Sequence, residues 1–107
     1  MTYFELFCLI FYALDSNYTI NSNEEIQQFL SDANPFLFED IGSADPAVFE
    51  EFCSFIKLPI TPADSYSIAQ KYIEHLNISE LNKVFASISK SDWNEGLASY
   101  MASPHKK

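Results

Sequence analysis

Two histidines and two cysteines, His75, His105, Cys8 and Cys53, are the side chains of this sequence best suited to base catalysis or soft metal binding. A hydrolytic site would need one of the cysteines, or a serine, beside a histidine that a third group orients. His75 falls at the rim of a helical pattern with Tyr72 and Leu76, and His105 falls in the last few residues, so no spacing ties either to a nucleophile. A structural zinc site takes about four Cys and His ligands at regular intervals. Here the two cysteines and two histidines are scattered, with no CxxC or HxxxH. Asp40, Ser43 and Asp45 surround Gly42 but miss the ligand order of a helix–loop–helix calcium site. Gly42 and Gly96 are the only glycines, which excludes a glycine-rich phosphate cradle. No catalytic, cofactor-binding or metal-binding residue is therefore assigned, and the chain is expected not to be an enzyme.

Carboxylates are the remaining chemistry. They occur in adjacent pairs, Glu24-Glu25, Glu39-Asp40 and Glu50-Glu51. Neighbouring positions on a helix do not face each other, so such pairs suit solvated faces and helix N-termini better than acid–base work. Their distribution is uneven. Residues 1–56 hold ten acids and no Lys or Arg, whereas residues 57–107 hold five acids and six lysines. The halves carry -10 and +1, which sum to the formal net charge of -9, and arginine is absent. Direct nucleic-acid binding needs a basic patch and is disfavoured. A basic protein surface is the partner that this charge suits. The tyrosines and phenylalanines lack interleaved basic residues, which argues against a base-stacking platform.

Phe36, Phe38, Glu39 and Asp40 combine aromatic and acidic groups in a segment between helical patterns. Aromatic anchors rimmed by polar groups are typical of protein-binding patches. With Asp45, Glu50 and Glu51 they form the expected partner-binding set. The expected function is a small acidic module that docks onto a basic partner, in its sharpest form an immunity- or antitoxin-like inhibitor of a nuclease. The alternatives are a structural or oligomerisation module built on the apolar first helix, and a small-ligand-binding domain or enzyme. Composition leaves monomer and homodimer equally open.

The elements that must position these groups are helices. The chain has 107 residues, 48% of them hydrophobic and 20% charged, which suits one packed domain spanning 1–107. Two glycines are few for a fold of tight hairpins. Thr2 with Glu5 makes a capping box ahead of an apolar helix over 3–14, which Asp15-Ser16-Asn17 should end. A helix apolar on nearly every side belongs in the centre of a fold. This run is too short to cross a membrane and lacks the flanks of a signal peptide, so a cytoplasmic location is expected. Both cysteines lie in apolar helical patterns and are expected to be reduced core residues.

Ser22 with Glu25 opens a short helix with Ile26, Phe29 and Leu30 on its apolar side, stopped at Asn34-Pro35. The segment 36–41 suits either a loop or one helical turn. Asp45-Pro46 is a strong helix start, with Val48, Phe49, Phe52, Phe55 and Ile56 inward and Glu50, Glu51, Ser54 and Lys57 outward. Thr61-Pro62, with Asp64 at the third helical position, should start a helix with Ala69, Tyr72, Ile73 and Leu76 inward, ended by Asn77. Ser79 should cap a helix with Leu81, Val84, Phe85 and Ile88 inward. Ser91 should cap the last, with Trp93, Leu97, Tyr100 and Met101 inward, before a frayed tail at 103–107. The fold class is all-α, a five- or six-helix orthogonal or bundle-like domain with the N-terminal helix central.

Overall fold

A computed structural model describes residues 1–17, 24–34, 45–56 and 59–102. These form six helices and no strand: α1 (Tyr3–Asn17), α2 (Glu24–Ala33), α3 (Pro46–Phe55), α4 (Ser65–Leu76), α5 (Ser79–Ala86) and α6 (Lys90–Ala102). The fold is all-α, as the periodicity predicts.

The capping box at the start of α1 forms in full. The Thr2 N–H donates to Glu5 Oε1 at 2.7 Å, and the Glu5 N–H donates to Thr2 Oγ1 at 3.0 Å. Two otherwise orphaned N–H groups are satisfied this way. Beyond them Phe4, Leu6, Phe7, Cys8, Leu9, Ile10, Phe11 and Leu14 are all buried. Burying a Leu, Ile or Phe side chain contributes roughly 1.5–3 kcal/mol, so α1 is the main source of burial energy. Consistent with that central role, α1 packs against every other helix. It also runs one turn beyond the expected stop, through Asn17. Asp, Ser and Asn lower helix propensity by only tenths of a kcal/mol each, and no Gly or Pro forces an end there. No helix among the described residues is long and apolar enough to cross a membrane.

The other starts follow local chemistry, with three corrections. Asp45 caps α3 by accepting from the Ala47 N–H at 3.1 Å, with Pro46 at the first helical position. Thr61 and Asp64 do bond each other: the Asp64 N–H donates to Thr61 Oγ1 at 3.2 Å, and the Thr61 hydroxyl donates to Asp64 Oδ2 at 2.8 Å. That closes a turn at 62–64, so α4 begins three residues later than expected, at Ser65. Ser79 is the first residue of α5, and Ile78 stands at its cap. The cap of α6 is Ser89, not Ser91: Ser89 Oγ accepts from the Asp92 N–H at 3.1 Å and the Ser89 carbonyl from the Trp93 N–H at 2.9 Å. Ser22, residues 36–41, Lys57 and the tail at 103–107 lie outside the described residues. Asn77 ends α4 in the left-handed region at φ 56°, a conformation Asn tolerates better than most residues.

One hydrophobic core runs through all six helices. Phe52, Ile56, Ala69, Tyr72, Ile73, Leu81, Phe85, Ile88, Trp93 and Tyr100 are buried within it. Val48, Phe49, Cys53, Phe55, Leu76, Val84 and Leu97 reach only its edge. Met101, expected inward, is 44% exposed. It follows the buried Tyr100 directly, and one helical position turns the side chain by about 100°. Cys8 is buried and Cys53 half-buried, and neither is in a disulfide.

Two features yield stability predictions. Gly96 lies inside α6, and a Cβ placed there would meet only Leu9 Cδ1, at an ordinary 3.9 Å. Gly96→Ala is therefore expected to raise stability by about 0.5–1 kcal/mol, seen as a higher denaturation midpoint. Tyr72 is fully buried, and its hydroxyl has no hydrogen-bond partner among the described residues. Burial, and then the charge of Glu51, push its pKa well above the usual phenol range. In the unfolded chain a tyrosine ionises near pH 10. The folded state holds its proton longer, so this contribution is complete below about pH 10 and is lost as pH rises further. Tyr72→Phe should lose less stability than wild type over that alkaline range. Near neutral pH it should be equally stable or up by about 1 kcal/mol, because it removes an unsatisfied buried hydroxyl. Urea titrations of both proteins across the range check this.

Candidate functional site

The acidic set is held by α3 and its neighbours. Asp45 is exposed at the α3 N-terminus, and Glu50 and Glu51 are exposed along the helix. At 1.5 Å rise per residue, Asp45 and Glu51 lie roughly 9 Å apart along the axis. Phe36, Phe38, Glu39 and Asp40 lie outside the described residues.

Two residues absent from the expected set join it through tertiary contacts. The Asp45 N–H donates to the Asp32 carbonyl at 2.8 Å, which fixes the end of α2 beside the start of α3. Asp32, half-buried, accepts from the Gln28 side-chain amide at 3.0 and 3.1 Å, so its carboxylate is held on the α2 face. On the other side of α3, His75 from α4 places Nε2 3.7 Å from Glu51 Oε1. The imidazole also lies against the Phe55 ring, with centroids 4.6 Å apart and planes at 33°. Asp32 thus lies beside the start of α3, and His75 beside Glu51.

The negative field of α3 reaches inward. The Cys53 thiol pKa is pushed up by burial and then by Glu50, and Tyr72 is affected in the same direction by burial and then by Glu51. The α3 aromatics differ in role. Phe49 makes edge contacts with Phe4 at 5.7 Å and Phe7 at 5.1 Å, which place it at the core edge. Phe55 is half-buried and lies against His75, the residue that contacts Glu51.

Cys8 sits in the interior of α1 and His75 on the surface against Glu51. Among the described residues no group of three or more His, Cys, Asp or Glu side chains is placed to hold a metal ion. Sequence periodicity finds Glu50 and Glu51 because both fall off the apolar stripe. It does not find Asp32 or His75, which reach the face only through packing of α2 and α4 on α3. The chain matches no protein-family model, and neither a curated protein nor a solved structure is detectably similar to it.

Proposed function

We propose that this chain is a small acidic protein-binding module whose α3 face docks onto a basic surface of another protein. The observation that supports it is that Asp45, Glu50 and Glu51 are all exposed on one short helix, whose start is bonded to the end of α2 at Asp32. Complementary charge steers encounter and speeds association more than it adds affinity. Phe55 is the aromatic edge of this face, and Phe36, Phe38, Glu39 and Asp40 belong to the same proposal. Inhibition of a nuclease is the sharpest form of it, because sites that hold phosphates are basic. A cytoplasmic location goes with this reading, since thiols at Cys8 and Cys53 suit a reducing compartment. The oligomerisation alternative relied on an apolar α1 face between subunits, and that helix is covered by its own chain's helices.

The test is a charge reversal. Glu50→Lys with Glu51→Lys changes the charge by four units at two exposed positions. The folded state should lose less than about 0.5 kcal/mol, as for surface substitutions generally. Recovery of the partner from an extract of the native host should fall at least tenfold. Equal recovery by wild type and variant would contradict the proposal and leave the acidity as a solubility device.

A further inference from the structure

We draw no further inference here: the strongest candidate, the side-chain cluster of Phe55, Tyr72 and His75 where α3 meets α4, adjoins Glu51 of the site already described, and nothing in the structure shows what would bind there.

Discussion

Phe52→Ala is expected to lower the stability of this protein by roughly 3–5 kcal/mol, the usual cost of emptying a buried phenylalanine site. Phe52 is fully buried. Its ring meets Phe7 of α1 at 5.2 Å and Tyr72 of α4 at 4.8 Å, both edge-on, and Phe49 at 6.3 Å. It is the ring through which α3 is joined to α1 and α4 at once. Aromatic pairs of this geometry contribute about 0.5–1.5 kcal/mol beyond their buried area. The site collapses poorly because its neighbours are themselves rings held by other contacts. Against a total of about 5–15 kcal/mol for an ordinary domain, the loss is a large share. A urea titration should show a lower midpoint with an unchanged slope. An unchanged midpoint would mean that α3 does not sit on α1 as described.

A loss of similar size, roughly 3–5 kcal/mol, is expected for Trp93→Ala. Trp93 is buried and packs against Tyr66 at 5.8 Å and Phe85 at 5.9 Å, joining α6 to α4 and α5. Its indole Nε1–H donates to Ser65 Oγ at 2.9 Å, across 28 residues of sequence. The Ser65 hydroxyl in turn donates to the Pro62 carbonyl at 2.7 Å. Among the described residues Ser65 is the buried polar residue of the core, and it serves there as the partner of the indole. Ser65→Ala leaves the Nε1–H buried and unsatisfied, at a cost of about 1–3 kcal/mol. The two losses should not add in the double variant, because they share one interaction. Trp93 is the only tryptophan, so its fluorescence reports the packing of this corner directly in Ser65→Ala.

Much of this fold is legible in the sequence because its helix starts are written in local chemistry. Thr2 with Glu5 and Asp45 with Pro46 act within four residues of themselves, and both form as their types require. The apolar continuity of residues 3–14 identifies the central helix without any tertiary information. Where two local signals compete, packing decides. Ser89 and Ser91 are both good caps, and the choice of Ser89 fixes the register of α6 relative to Trp93. The same register leaves Met101 outside. Phe55 lies on the apolar stripe of α3, yet the helix meets α4 there only along a seam, so the ring reaches the surface.

The candidate face is legible only in part. Exposure of Glu50 and Glu51 follows from helical spacing alone. Asp32 and His75 are distant in sequence from α3, and nothing in their neighbourhoods announces that they will meet it. Their arrival places a further carboxylate beside the start of α3 and an imidazole beside Glu51.

The central claim is electrostatic docking through α3, and the association rate with the recovered partner, measured against salt, tests it most directly. Steered association between complementary faces runs faster than the neutral range of about 10⁵–10⁶ M⁻¹s⁻¹ and falls steeply with ionic strength. The wild-type rate should fall by at least tenfold between low and physiological salt, and the Glu50→Lys, Glu51→Lys variant should lose most of that dependence. A rate indifferent to salt in both proteins would contradict the account.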